Sequence, residues 1–105
     1  MRRGEIWWAE LEPPAGKRPV VLLSRGEAYS VRSLIIVAPV TTRIRRIPSE
    51  VPLGTDDGMP HDCVANLDTI TMIPKDCLQS HITTLSAKKL REVEAAIRFA
   101  LGMEQ

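Results

Sequence analysis

The stretch GKRPVVLLS, residues 16–24, carries a turn-forming glycine and two charged residues directly into an uninterrupted aliphatic run. A second run of this kind, SLIIVAPV, occupies residues 33–40. Continuous apolar runs of this length are typical of strands covered on both faces, so both segments are predicted to be central strands of one sheet. Pro19 lacks an N–H and suits the first residue of a strand. Because proline restricts the preceding residue to extended conformations, Arg18 is predicted to be held in a defined position where a loop becomes a strand.

Shorter strands are predicted on either side of these two. The segment EIWWAEL, residues 5–11, is rich in aromatic and aliphatic residues and is followed by two prolines. Further short strands are predicted for SEVPL (49–53) and DCVANL (62–67), which flank the polar turn 54–61, and for SHITTL (80–85).

The segment SAKKLREVEAAIRFALG, residues 86–102, is predicted to form a helix. Ser86 can cap its start and Gly102 can end it. Its apolar residues recur at helical spacing: Leu90, Val93, Ile97 and Leu101. The expected fold is mainly β (α+β), a strongly curved small sheet or barrel with a C-terminal α-helix, in one domain spanning residues 1–105.

Net charge, cysteine spacing and the N-terminal apolar run limit the kinds of function and location that the sequence allows. The net charge of the 105 residues is +1, so a nucleic-acid surface would have to come from local clustering of Lys and Arg. The two cysteines, Cys63 and Cys77, lack metal-ligand spacing, and the N-terminal apolar run is too short for a signal peptide or a membrane span. A cytoplasmic protein with reduced thiols is expected.

A candidate phosphate-binding cluster follows the second aliphatic run. Pro39 is expected to disturb the pairing of that strand. It is followed by Thr41 and Thr42 and then by RIRR, residues 43–46, and arginine with hydroxyl groups is a phosphate-binding chemistry. Taken one by one, the same residues also fit a surface charge, ordinary strand threonines and a solvated loop.

The aromatic and histidine residues give weaker signals. Trp7 and Trp8 are predicted to point to opposite faces of their strand. At least one is expected in the core, and the other can lie in the core, at an interface or in a base-stacking position. His61 and His81 are isolated in the sequence and form no catalytic pattern. The chain has no glycine-rich phosphate loop and no carboxylate or histidine cluster that suits a catalytic metal.

Four stretches resemble, in order, the successive motifs of the MazF/PemK (Kid) family of toxin ribonucleases: RRGEIWWAELEP, GKRPVVLLS, IIVAPVTT and DCVANLDTITMIPKDCL. The resemblance extends from Gly4 to the final helix. It implies an SH3-like β-barrel with an added helix, a fold shared with CcdB, and a homodimer. It also implies cofactor-free and metal-independent cleavage of single-stranded RNA, inhibited by a MazE-like antitoxin that lays an acidic segment over the RNA site.

The resemblance also implies roles for individual residues. Arg18 matches the catalytic arginine of the family's Arg-Pro-Val motif, and Thr41 matches the threonine that contacts the scissile phosphate. Trp8 matches an aromatic of the first-strand motif, and Asp68 falls at an acidic position that serves catalysis or substrate contact in some relatives. Together with Trp8, the expected RNA contacts are Lys17, Thr42, Arg43, Arg45 and Arg46.

Two departures from the family pattern limit this transfer. The loop EPPAGKRP, residues 12–19, is shorter than the corresponding loop of many relatives, so the cleavage sequence cannot be transferred. Asn66 stands where PemK-like members carry an arginine two residues before the acid, so an Asp–Arg acid–base pair with Asp68 is not available in that form.

The expected chemistry is attack by the 2′-OH of the RNA, giving a 2′,3′-cyclic phosphate and a 5′-OH. Arg18 is expected to stabilise charge on the phosphate, or alternatively to act as general acid to the 5′-oxygen. Thr41 is expected to donate a hydrogen bond to a non-bridging phosphate oxygen. No general base is identifiable. The alternatives are a gyrase poison of the CcdB type, against which the ending ALGMEQ counts, an SH3-like RNA-binding module without catalysis, and a purely structural β domain.

Overall fold

The computed structural model of the protein describes residues 1–103. Short 3₁₀ turns lie at Thr55–Asp57, Leu67–Thr69 and Lys75–Cys77. The strands and α-helices of this range are, in order, β1 (Glu5–Glu10), β2 (Lys17–Leu22), α1 (Ala28–Val31), β3 (Leu34–Thr41), β4 (Glu50–Leu53), β5 (Cys63–Asn66), β6 (Thr71–Pro74), β7 (Leu78–Thr84) and α2 (Ala87–Ala100).

The strands form one curled antiparallel sheet in the order β4-β5-β3-β2-β1-β7, with β6 paired to β3 beside this path. The two strands predicted to be central are confirmed as such, because β2 lies between β1 and β3, and β3 contacts three neighbours. The expected mainly β fold with a C-terminal helix is therefore present as a half-barrel.

Strand β3 changes partner at Pro39. On one edge it pairs with β6 from Leu34 to Val37 and then with β5 at Val40 and Thr41. On its other edge the register with β2 reaches Pro39, which lies opposite Val20. The disturbance expected at this proline is thus a switch of partner rather than the end of the strand, which continues to Thr41.

Apolar residues cover both faces of β2. Val21 belongs to a core cluster that α2 closes with Val93 and Ala96, whereas Val20 and Leu22 belong to a second cluster on the opposite face. The prediction that both faces are covered is confirmed for β2. It is wrong for the first half of β3, where Leu34 and Ile36 alternate with buried neighbours and are exposed.

The terminal helix begins as predicted. The Ser86 hydroxyl oxygen accepts a hydrogen bond from the Lys89 backbone N–H at 3.1 Å, and Gly102 follows with a positive φ of 70°. This N-cap satisfies one of the donors that the first turn leaves unpaired. Over residues 1–103, no helix has both the length and the apolar character needed to span a membrane.

Candidate functional site

The register of β2 and β3 brings Arg18 and Thr41 to the same end of the sheet. Val20 on β2 lies opposite Pro39 on β3. Because the strands are antiparallel, Arg18, two residues before Val20, and Thr41, two residues after Pro39, lie in the same direction from this pair. Both residues line one cleft with a volume of about 280 Å³. The two residues predicted to act on the phosphate therefore share one cleft.

The walls of this cleft combine cationic, hydroxyl and apolar groups. Among the described residues, no aspartate or glutamate lines it, so its local charge is positive although the chain as a whole is nearly neutral. Such a cleft attracts a polyanion through its local field. Its polar lining comprises Lys17, Arg18, Thr41, Thr42 and His61, and its apolar lining comprises Trp8, Pro19, Val40, Met59, Pro60 and Cys63.

The two cations of the cleft are not neutralised by carboxylates. Within residues 1–103, the half-buried Arg18 guanidinium makes no hydrogen bond or ion pair, and its donors are available to a ligand. Lys17 Nζ lies 5.4 Å from the centroid of the Trp8 ring, which holds the ammonium group over an aromatic face. Lys17 and Trp8 thus form one wall beside Arg18.

The first strand divides its two tryptophans between different environments, as predicted. Trp7 packs against the second core cluster, and its indole N–H donates to Glu5 Oε1 at 2.9 Å. Its ring also meets that of His81 edge-on, with centroids 5.9 Å apart. Trp8, in contrast, lines the cleft.

His61 is the cleft residue that sequence reasoning passed over. It lies between β4 and β5, in a loop held by two buried residues, Met59 and Cys63. Gly58 turns this loop with a φ of 89°, and the Thr83 hydroxyl donates to the Asp57 carbonyl at 2.9 Å. The sequence signal that could have indicated this is a short run of three polar or turn residues with an apolar residue on each side, Met59 and Cys63. Such a pattern is typical of a loop that is anchored at both ends.

The three arginines of residues 43–46 are not brought into the cleft. The backbone N–H groups of Arg45 and Arg46 donate to Glu50 Oε1 at 2.8 and 3.1 Å, and the Arg45 guanidinium lies 3.9 Å from Glu50 Oε2. Arg46 lines a neighbouring cavity of about 430 Å³ that shares Cys63 with the cleft. The arginines therefore border the site rather than form it.

Asp68 does not line the cleft either. It lies in the 3₁₀ turn after β5, where its carboxylate accepts a hydrogen bond from the Ser49 hydroxyl at 2.6 Å. The Asp68 backbone N–H in turn donates to Asn66 Oδ1 at 2.9 Å. The position of Asp68 favours a structural role, and its catalytic role stays a prediction.

The buried residue Cys63, which also lines the cleft, carries a neutral thiol. Burial raises the pKa of Cys63, and the carboxylates of Asp62 and Asp57 raise it further. A thiol with a raised pKa is a poor nucleophile at neutral pH. In the part of the chain that the structure describes, no three or more His, Cys, Asp or Glu side chains are grouped to hold a metal ion.

The family model of the PemK-like, MazF-like toxins of type II toxin–antitoxin systems matches residues 2–101. The chain belongs to this family. The match agrees with the resemblance to MazF-like toxins that the four sequence motifs carry, and it favours a MazF-like toxin over a gyrase poison. The ending ALGMEQ, which counts against a gyrase poison, includes residues 104–105, and these lie outside the described residues.

Relatives and solved structures agree with this assignment. The "Probable endoribonuclease MazF2" of Mycobacterium tuberculosis (strain CDC 1551 / Oshkosh) is 35% identical over 97% of this chain and 99% of its own length. The Mycobacterium tuberculosis toxin MazF-mt6 superposes with a TM-score of 0.88 at 29% identity, covering 96% of this chain and 99% of that one. A MazE–MazF structure from Deinococcus radiodurans gives a TM-score of 0.84 at 27% identity, covering 99% and 98%.

Proposed function

We propose that this MazF-like chain is a cytoplasmic toxin that cleaves single-stranded RNA, and that residues 1–105 form one toxin domain. The observation that carries the proposal is the positive cleft in which Arg18 and Thr41 converge. The endoribonuclease names of relatives that match along nearly their whole length support the reaction class.

The cleavage step uses the 2′-OH of the RNA as its nucleophile. The attacking oxygen forms a bond to phosphorus while the bond to the 5′-oxygen breaks, which gives a 2′,3′-cyclic phosphate and a 5′-OH. Negative charge grows on the phosphate oxygens in the transition state, where a fixed guanidinium and hydroxyl are most effective. Arg18 donates to these oxygens as a charged fork, and Thr41 donates to a non-bridging oxygen.

The wall of Lys17 and Trp8 holds the RNA strand beside the scissile phosphate. The Lys17 ammonium neutralises a neighbouring phosphate, and Trp8 offers an apolar face to a base. Thr42, exposed at the end of β3, contacts the phosphate backbone. None of these roles requires a metal ion or a cofactor.

The inhibitor is a MazE-like antitoxin whose acidic segment occupies the same positive cleft. A polyanionic peptide and an RNA strand compete for one charged surface, so binding of the two is mutually exclusive. The type II toxin–antitoxin family and the MazE–MazF structure among the neighbours support this partner class.

The active form is a homodimer that buries the apolar face left open by β3 and β6. Ile36 and Met72 lie opposite each other in that pair and are 41% and 56% exposed. Val31 and Leu34 extend the patch and are 70% and 47% exposed. Contiguous apolar surface of this kind marks protein–protein contact sites.

The test uses purified protein, a long single-stranded transcript and excess EDTA. Mapped ends bearing 5′-OH and 2′,3′-cyclic phosphate are expected from the wild type. Arg18→Ala should abolish cleavage while remaining folded, Arg18→Lys should restore little because a point charge lacks the bidentate fork, and Arg25→Ala, an exposed arginine outside the cleft, should cleave normally. RNA binding without cleavage would instead identify a binding module, and loss of cleavage on chelation would overturn the metal-free mechanism.

A further inference from the structure

We propose that His61 is the general base that removes the proton from the attacking 2′-OH. This inference rests on the proposed ribonuclease function and supplies the group that the sequence did not reveal. The imidazole lines the same cleft as Arg18 and Thr41, the two residues assigned to the phosphate.

The ring of His61 is available for this task. Neither of its nitrogens has a hydrogen-bond or ion-pair partner anywhere in residues 1–103, and the side chain is exposed. His81, the other histidine, is engaged: its Nε2 lies 3.0 Å from Thr84 Oγ1 and its ring packs edge-on against Trp7. His81 does not line the cleft.

Two buried anchors fix the position of His61. Met59, two residues before it, is 4% exposed and belongs to the main core cluster, and Cys63, two residues after it, opens β5 and is also 4% exposed. A loop held this closely on both sides gives its middle residue little freedom to leave the cleft. The proximity that a proton-transfer group needs is therefore built into the fold.

The other groups around the cleft are unsuited to accept a proton at neutral pH. Lys17 and Arg18 from β2 are cations, and burial raises the pKa of the Cys63 thiol on β5 so that it remains protonated. Asp62 is adjacent to His61 in the chain but lines the neighbouring cavity. Imidazole is the side chain that exchanges a proton most readily between pH 5 and 8.

The proton and electron balance of the step closes without a co-reactant. Neutral His61 takes the 2′-OH proton as the oxygen–phosphorus bond forms, and the bond from phosphorus to the 5′-oxygen breaks with its electron pair on that oxygen. The 5′-oxygen takes a proton from water in the cleft, and the resulting imidazolium returns its proton to solvent. Arg18 and Thr41 hold the phosphate throughout.

The experiment compares wild type, His61→Gln and His81→Gln on one long single-stranded transcript, with single-turnover rates measured from about pH 5.5 to pH 8.5. His61→Gln should lower the rate by about 100-fold and remove the rise of the rate with pH that the base produces. Binding of a 2′-deoxy version of the most strongly cleaved segment should change less than about twofold, because a base acts on the 2′-OH proton and not on affinity. His81→Gln should match the wild type in rate and pH profile.

The outcomes separate the two proposals. Absence of cleavage by the wild type would overturn the ribonuclease function itself. A cleaving wild type with a His61→Gln variant of equal rate and unchanged pH profile would leave the function standing and overturn the base assignment. A His61→Gln variant that loses binding of the 2′-deoxy segment in proportion to its rate would also overturn it, in favour of a binding contact.

Discussion

The side-chain oxygen of Thr41 accepts a hydrogen bond from the backbone N–H of Arg43 at 3.2 Å. A hydroxyl has one hydrogen to donate, and accepting this bond leaves that hydrogen free. The turn that ends β3 therefore orients the Thr41 hydroxyl as a donor at the edge of the cleft.

Thr41→Val should remove this donor while nearly preserving side-chain volume. Loss of one hydrogen bond to transition-state charge lowers the rate by about 100-fold or more, so cleavage should fall by that factor with little change in thermal stability. Thr41→Ser, which keeps the hydroxyl, is the matched control and should retain most activity. Rates on one transcript measure the difference, and equal rates for the Val variant and wild type would refute the role.

Asp68→Ala should damage the fold and spare the chemistry. Ser49 is 1% exposed, and removing Asp68 leaves its buried hydroxyl without the 2.6 Å acceptor. An unsatisfied buried polar group costs about 1–3 kcal/mol of unfolding free energy, which denaturant titration measures. The cleavage rate of the folded variant should stay within about twofold of wild type. A folded Asp68→Ala protein that cleaved RNA about 100-fold more slowly than the wild type would instead support a catalytic role for Asp68.

Replacing Arg43, Arg45 and Arg46 together with serine should weaken binding of both RNA and an acidic antitoxin peptide. The anchoring of this segment to Glu50 uses backbone N–H groups of residues 45 and 46, so its path should survive the change. Each lost phosphate contact reduces the slope of log affinity against log salt by about 0.7 for a single strand. Binding titrations over a salt series measure that slope. A control triple variant at the exposed Arg25, Lys88 and Arg91 should leave it unchanged, and an undiminished slope in the first variant would exclude these contacts.

Glu5 should make the stability of the protein depend on pH in the acid range. Burial opposes ionisation of Glu5, but hydrogen bonds from the Trp7 indole and the Arg2 backbone, with the positive N-terminus, lower the pKa of its carboxyl below the ordinary 4.5. The ionised group therefore stabilises the fold above about pH 4.5, and this contribution is lost as the pH falls through the lower folded-state pKa.

Glu5→Gln should accordingly lower the free energy of unfolding at pH 7 by about 1 kcal/mol, a difference that shrinks at about pH 3.5. Urea denaturation at both pH values measures it. Glu10→Gln, an exposed glutamate on the same strand, is the control and should have little effect. A loss of equal size at both pH values would contradict the assigned cause.

Ile36→Lys should convert the dimer to a monomer, because it places a charge in the centre of the apolar face shared by β3 and β6. Sedimentation at micromolar concentration should show a dimer for the wild type. Phe99→Lys, at a position that is 55% exposed on α2, should remain dimeric. A wild-type monomer would refute the dimer, and a dimeric Ile36→Lys variant would move the interface to another surface.

The sequence was sufficient to predict that Arg18 and Thr41 lie at the same end of the sheet. The two aliphatic strands each carry a proline close to one of these residues, and adjacent antiparallel strands bring the start of one beside the end of the next. The prediction of a capped terminal helix succeeded for a similar reason, since capping and helical spacing are local properties. Strand β6 was missed because TMIP is short, ends in proline and is defined by its distant partner β3.

The remainder of the site depends on contacts that local patterns do not specify. His61 reaches the cleft because Met59 is buried in a core assembled from distant strands and α2. Arg43, Arg45 and Arg46 border the cleft because Glu50 binds the backbone N–H groups of residues 45 and 46, and their contact with RNA stays a prediction. The contact between Asp68 and the buried Ser49 joins residues far apart in the sequence, so the sequence did not indicate it, and the catalytic role of Asp68 stays a prediction.

The two anchors Met59 and Cys63 also bear on how this toxin can diversify. Pro60, His61 and Asp62 between them are exposed, so substitutions there leave the core intact. Surface positions of this kind tolerate most changes within about 0.5 kcal/mol. Pro60 and Asp62, on either side of His61, can thus change without loss of the fold or of the proposed base, so new side chains can be selected there for a different target RNA.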